Sequence, residues 1–326
     1  MRILVVGAGA VGGYFGGRLA AARRDVTFLV RPGRARQIAA TGGLIIKDPA
    51  GGVVVHEPVL VQADSLIGRY DVIFLSCKAY DLESCMADFA TAVGPDTMIL
   101  PGLNGMRHIE TLSERFGAER VLGGRVRIFA TLDDEGRVLH QAPMHVLDYG
   151  EVEGGISPRV EKLHKAMSGA GFDARASGDI MQDMWDKWAM IATLAGSTGL
   201  MRAPVGVIAR SGGADFVRGL MNETLAIARH NGRPISDAFA ADIVKVATDP
   251  ASGQMASLAK DMIGGRRIEA EQIIGDLLAR APTGSGDDFI RLKTVHVHLK
   301  CYEAGLKSQN PLTLDDGIGS KESVRK

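Results

Sequence analysis

Residues 2–20, RILVVGAGAVGGYFGGRLA, decide how the rest of the chain is read. A short β-branched run, 2–6, breaks into glycines and then into a helical pattern from about Val11 to Ala22. Gly7, Gly9 and Gly12 stand as G-x-G-x-x-G. That spacing alone is a weak signal, because glycine-rich turns are common. Between a strand and a helix it is the fingerprint of a dinucleotide-binding turn. Gly7 permits the tight turn and Gly12 lets the helix pack close to the strand. Gly9, with Ala10 and Val11 after it, lies where the backbone approaches a pyrophosphate at the positive end of the helix dipole.

The second strand, 25–30, ends where such a fold reads the ribose. A free 2′-hydroxyl favours Asp or Glu at that point, but the chain presents Arg31, followed by Arg34 and Arg36. A guanidinium cannot accept a hydroxyl proton, yet it pairs well with a 2′-phosphate. The pattern therefore favours NADP(H), with a solvated basic loop as the plainer alternative.

Strand-like runs continue at 71–76, 97–101 and 121–124, with helical stretches near 81–91 and 107–116 between them. This alternation predicts an α/β fold with a doubly wound parallel sheet. Shorter runs between about 125 and 150, separated by DDEG and AP, read as antiparallel strands added to the sheet edge. After a helix at 157–168 and the run FDAR, the boundary falls at Ser177-Gly178-Asp179. From there helical patterns at 179–197, 204–230, 236–248, 255–262, 269–280 and 286–303 predict an all-α second domain. The expected division is 1–177 for the NADP-binding Rossmann domain, 178–307 for the helical domain that carries substrate and catalysis, and a disordered tail over 308–326.

The 326 residues carry 38 basic and 38 acidic side chains, so no global charge bias draws the chain to nucleic acid or an anionic membrane. A small molecule fits better as a partner. No apolar run reaches the roughly 18 residues of a membrane span, and the first strand begins at residue 2 without a secretory leader. Cys77, Cys85 and Cys301 match neither a disulfide framework nor a zinc site. A cytoplasmic protein is expected, with a homodimer plausible from the long apolar helical half.

The stretch MWDKWAMIATLAG, 184–196, poses the chemical question, since it sets Lys187 between the chain's two tryptophans in an otherwise apolar run. An ammonium there is desolvated, and its pKa falls toward the range in which it gives up a proton near neutrality. That suits a general acid, because reduction of a ketone leaves negative charge on the oxygen. The alternative is a lysine on the helix exterior with its stem along the tryptophans and its amine in water.

Six stretches, ILVVGAGAVGGYFGGRLA, FLSCKAYDLE, LPGLNGM, MWDKW, APVG and SLAKDMIGGRRIEAE, occur in an order and spacing that resemble the ketopantoate reductase family over about 1–300. The resemblance implies a 6-phosphogluconate dehydrogenase-like arrangement of the two domains and reduction of 2-dehydropantoate to pantoate with NADPH, on the route to pantothenate and coenzyme A. It implies Lys187 as the catalytic lysine, Glu269 as the carboxylate on the substrate hydroxyl and Ser257 as a ligand of the substrate carboxylate. Asn104 matches the active-site asparagine near the nicotinamide, Lys78 a cofactor-side lysine and Arg31 the 2′-phosphate arginine. The chain departs from the family where asparagines stand four and eight residues after the lysine, since it has Ile191 and Ala195. The family's Thr-Glu-Ile-Asp is here Ile268-Glu269-Ala270-Glu271. A pocket without those amides suits a bulkier or less polar 2-oxo acid. A non-catalytic NADP(H)-binding sensor is the second reading, and reduction of an imine a third.

Each of these residues also has a plainer reading. Glu269 and Ser257 fit the first turns of their helices whether or not they do chemistry, Asn104-Gly105 is a tight-turn pair, and Lys78 is a solvated strand-end lysine. His296 and His298 point apart on a helix, and His140 and His145 flank a turn without an accompanying acid, so no metal site is expected. Met181, Met184 and Met190 read as core packing.

Overall fold

The computed structural model describes residues 1–49, 51–284 and 288–308. β1 (Arg2–Val6) leads through α1 (Ala10–Ala21) to β2 (Asp25–Leu29) and α2 (Pro32–Ala40), whose proline occupies the first turn, where its missing N–H costs nothing. β3 (Leu44–Lys47) and β4 (Val53–Val55) pair as a hairpin before β5 (Val59–Val61) returns to the sheet edge. β6 (Val72–Leu75), α3 (Leu82–Phe89), β7 (Met98–Pro101) and α4 (Arg107–Phe116) follow. The sheet order is β5-β2-β1-β6-β7 with every pair parallel, the Rossmann arrangement expected from the sequence. β6 and β7 are buried at every position, which is why they read as unbroken apolar runs rather than alternating ones.

The region after residue 121 differs from the sequence expectation. The run 121–124 is not a further strand of the parallel sheet: Val121 makes one bridge to Ile99, and β8 (Leu122–Leu132) then pairs antiparallel with β9 (Val138–Glu151). A Cβ on Gly124 would lie 2.1 Å from the Pro101 carbonyl oxygen, so the strand crosses the sheet edge in close contact instead of joining it. The hairpin seeds a second sheet. After α5 (Pro158–Met167), β10 (Asp173–Ala176) joins the far side of β9, beside β3. Tyr14, Phe15 and Leu19 of α1 share one core with residues from both sheets, including Val5, Phe28, Ile46 and Val138.

The opposite face of the parallel sheet, through Leu4, Val6, Ile73 and Leu75, runs without a break into the helical half. α6 (Ile180–Met201) is its axis. Most of this 22-residue helix is buried, consistent with apolar residues distributed around its whole circumference. The stretch 204–230 expected as one helix is two, α7 (Val205–Arg210) and α8 (Ala214–His230), separated at Gly212, whose φ of +84° ends the first. α9 (Asp237–Ala247) and α10 (Ser257–Ile263) follow. In place of a regular helix over 269–280 there is a π-helical turn, Glu271–Gly275, entering α11 (Asp276–Ala279). α12 (Ile290–Ser308) completes the helical half. The tail expected from 308 onward lies, after Ser308, outside the described residues. No described helix is long and apolar enough to cross a membrane.

The glycine turn makes a direct test of this packing. A Cβ on Gly12 would stand 2.0 Å from the Gly7 carbonyl oxygen and 2.1 Å from Ser76 Oγ, whereas one on Gly9 would meet nothing within 4 Å. Gly12→Ala is expected to lower stability in urea denaturation by about 2 kcal/mol or more, and Gly9→Ala by no more than about 1 kcal/mol.

Candidate active site

The carboxyl ends of the parallel strands bring together four of the positions singled out in the sequence: Gly7 after β1, Arg31 after β2, Lys78 after β6 and Asn104 after β7. Open α/β sheets bind their ligands at this edge. Gly7 takes a φ of +91°, and Ser76 Oγ braces the turn by donating to the carbonyls of Val6 at 3.0 Å and Gly7 at 2.9 Å. The first-turn amides of Ala10 and Val11 have no acceptor within the helix. The open space beyond Gly9 leaves this end accessible, so the turn fits a pyrophosphate.

The three arginines part company. Arg31 is the N-cap residue of α2, its side chain 62% exposed, with contacts to Asp81 Oδ2 at 3.4 Å and Ser84 Oγ at 3.3 Å. Arg34 donates to the carbonyls of Ala8 and Gly136, each at 2.7 Å, and so ties the glycine turn to the β8–β9 hairpin. Arg36 is exposed. Arg31 offers an exposed guanidinium directly at the end of β2, while most of Arg34 is committed to backbone carbonyls.

The helical half closes over these strand ends through the segment that starts at Glu269. Glu269, its side chain 8% exposed, accepts from Lys78 Nζ at 3.3 Å and from the Ala79 amide at 3.0 Å. Lys78 Nζ also reaches Asp261 Oδ2 on α10 at 3.1 Å. One turn before Asp261, Ser257 is exposed at the start of α10, on the same helix face. Gln272 Nε2 donates to the Asn104 carbonyl at 2.9 Å and lies 3.1 Å from His108 Nδ1. Gly105 has a φ of +75°, and a Cβ there would fall 2.4 Å from the Gln272 carbonyl oxygen. The Asn-Gly pair is therefore both a turn and a place of close approach between the two halves.

Lys187 lies on α6 beside this junction, and Trp188 explains how that part of α6 is held. Its indole Nε1 donates to the Ile273 carbonyl within the π turn at 2.9 Å, and the Trp185 ring packs on it at 4.9 Å between centroids. α6 is thereby anchored to the segment that carries Glu269. Among the described residues no hydrogen bond or ion pair reaches the Lys187 ammonium. Desolvation pushes its pKa down to about 8; the charge of Glu269 opposes the shift, and Arg125 and Arg127 add to it.

Sequence reasoning missed several neighbours. His108, fully buried, has its pKa pushed down to about 3 by burial first and then by the charges of Lys187 and Arg280. Arg125 and Asp148 face each other across β8 and β9 at 2.9 Å. The period-2 alternation of Arg125 and Arg127 was visible in the chain, but nothing local indicated which face of β8 would meet α6.

A second polar cluster lies between α1 and the second sheet, where ligand atoms of Asp48, His140 and His145 fall within 4.8 Å of one another. The acid that the sequence did not place beside these histidines comes from the end of β3. Its carboxylate already takes Arg18 Nη2 at 2.5 Å, His140 Nδ1 at 2.8 Å and the Tyr14 hydroxyl at 3.3 Å. Arg18 puts a fixed positive charge where a cation would have to sit.

The model of the family described as Ketopantoate reductase PanE/ApbA matches residues 3–154, and the model of its C-terminal part matches 179–285. The chain belongs to the ketopantoate reductase family. Among relatives, the uncharacterized oxidoreductase YkpB of Bacillus subtilis is 36% identical over 305 residues, covering 93% of this chain and 99% of that protein. A 2-dehydropantoate 2-reductase of Halobacterium salinarum is 26% identical, covering 86% of this chain and 92% of its own. The crystal structure of 2-dehydropantoate 2-reductase from Geobacter metallireducens superposes with a TM-score of 0.82 at 26% identity, covering 92% of this chain and 99% of the other. Ketopantoate reductase-like oxidoreduction is thus the chemistry this fold serves among its relatives.

His108 gives the junction a pH signature. With its pKa at about 3 when folded against an ordinary 6.5, the unfolded chain binds the extra proton. Stability is therefore expected to fall as pH drops from 6.5 toward 3, by about 1.4 kcal/mol per unit from this group. Urea denaturation across that range should show the slope, and His108→Gln should flatten it.

Proposed function

We propose that this family member reduces a 2-oxo acid to the 2-hydroxy acid with NADPH, acting on 2-dehydropantoate or a less polar relative of it. The observation that carries this reading is Lys187, a half-buried ammonium without a protein partner beside the strand ends that gather Gly7, Arg31, Lys78 and Asn104. The 2-dehydropantoate 2-reductases among the relatives support the reaction class. In this reading residues 1–177 bind the dinucleotide, and 178–307 supply the acid and most of the substrate contacts, in a reducing cytoplasm that suits the free cysteines.

The residues present fit the dinucleotide. Gly7, Gly9, Ala10, Val11 and Gly12 would cradle the pyrophosphate, Arg31 would take the 2′-phosphate, and Lys78 and Asn104 would line the nicotinamide side. When bound, the reduced nicotinamide supplies the hydride. Lys187 donates a hydrogen bond to the substrate carbonyl oxygen and then gives it a proton; a pKa of about 8 keeps the group charged at neutral pH yet ready to release that proton. Glu269, fixed by the Ala79 amide, receives the substrate hydroxyl, and Ser257 approaches the substrate from α10. Ile191, one turn after Lys187 on the same face and half-buried, gives the pocket an apolar wall in place of an amide, while Ala195, a further turn on, is packed in the core. That wall favours an aliphatic or aromatic side chain on the substrate.

Replacement of the two asparagines also motivates a sensor that binds NADP(H) without turnover. A panel of 2-oxo acids tested for NADPH oxidation separates the readings, since a sensor binds the cofactor and oxidises none.

Lys187→Ala is expected to lower kcat by a factor of about 10³ or more with NADPH affinity unchanged, read by steady-state kinetics and fluorescence titration. In the unaltered enzyme, kcat/KM for reduction should decline on the alkaline side with an apparent pKa near 8, as the ammonium is lost. Arg31→Ala should weaken NADPH by about tenfold or more and leave NADH little changed; an equal loss for both cofactors would count against the 2′-phosphate role.

A further inference from the structure

We propose that Arg127, a guanidinium on β8, is the charged receptor for the substrate's carboxylate, the group for which the family resemblance supplies only the Ser257 hydroxyl. The inference rests on the 2-oxo-acid reading above and deepens it by naming the group that selects for an acid.

The geometry begins with the register of β8 against α6. A Cβ on Gly123 would meet the Ile180 side chain, and Arg125, two residues on, donates to the Asp183 carbonyl at 3.2 Å and pairs with its carboxylate at 3.1 Å. Strand and helix therefore advance together, Gly123 beside Ile180 and Arg125 beside Asp183. Two residues of strand span about 6.6 Å and one helical turn about 5.4 Å, so the next residue on this face of β8, Arg127, falls beside the turn that carries Lys187. Val126, between them, points the other way into the core around α1.

The two arginines differ in what remains free. Arg125, its side chain 12% exposed, is spent on Asp148 and Asp183. Arg127 is 31% exposed and makes no hydrogen bond among the described residues; its Nε lies 3.5 Å from Asp148 Oδ2, an oxygen that Arg125 already occupies at 2.9 Å. Asp183 in turn accepts from Ser177 Oγ. Asp148 and Asp183 are thus engaged mainly by Arg125, on which Asp186 also acts, so Arg127 keeps no hydrogen-bonded carboxylate of its own. Glu269, the other acid acting on Lys187, is bound to Lys78. A carboxylate bridging the outer nitrogens of Arg127 would set the adjacent carbonyl toward Lys187. Planar, bidentate pairing with carboxylate is what a guanidinium does best.

The experiment compares a 2-oxo acid with its methyl ester, phenylglyoxylate being the probe pair, in the NADPH-loaded protein. Binding is read from Trp185 and Trp188 fluorescence and turnover from NADPH oxidation. The unaltered protein should favour acid over ester by on the order of 100-fold, R127Q should lose most of that preference with NADPH affinity intact, and R127K should recover part of it. R127Q retaining the full preference would overturn the proposal. If R127Q does not fold, the unaltered protein is labelled with butanedione: protection of Arg127 by phenylglyoxylate but not by the ester supports the role, and equal labelling with and without the acid overturns it. Acid-selective binding without turnover would contradict the reductase reading while leaving the Arg127 assignment standing.

Discussion

The two halves of this chain are joined so that one lysine ammonium is drawn into their junction without gaining a partner. Burial of a lysine is unfavourable, and most proteins relieve it by an ion pair or by letting the stem carry the amine to the surface. Here the acid acting most strongly on Lys187, Glu269, is held by Lys78 and the Ala79 amide across the junction, and the two arginines on β8 push Lys187 further from the charged state. The surroundings that hold the group are themselves rigid: Trp188 is bonded to the π turn, Gln272 to the Asn104 carbonyl, and Gly105 leaves no room for a side chain against Gln272. The cost of the lone ammonium is offset by a hydrophobic core that passes unbroken from the parallel sheet to α6 and α12.

Local patterns made part of this legible. β6 and β7 are continuous apolar runs because both faces are covered, and Gly7, at a φ of +91°, and Gly12, packed against Gly7 and Ser76, have tasks that only glycine performs. Lys187 stood out because it interrupts an apolar helix. What stayed hidden depends on pairings remote in sequence. β3 joins β9 some ninety residues later, and the Gln272–Asn104 contact spans 168 residues. Asp48 reaches His140 by the same kind of long connection, across 92 residues. Arg34 belonged to the same basic stretch after β2 as Arg31, and only the fold reveals that two backbone carbonyls claim it.

The substitutions in α6 and the arginines of β8 belong to one physical account. In the proposed reading, the two positions where the family carries amides hold Ile191, half-buried, and Ala195, packed in the core, neither of which can orient an anion. On that proposal a guanidinium on the facing strand would supply that capacity from the other side, and recognition would be divided between a charged strand and an apolar helix, with the proton donor where the two meet.

The most direct test of this account is the titration of Lys187 itself, followed by nitrogen NMR of its side chain in the protein without substrate. A pKa near 8 is the predicted result, since desolvation and two neighbouring guanidinium groups outweigh the pull of Glu269. An ordinary value near 10.5 would mean that water reaches the amine, and the assignment of this lysine as the proton donor would fail with it.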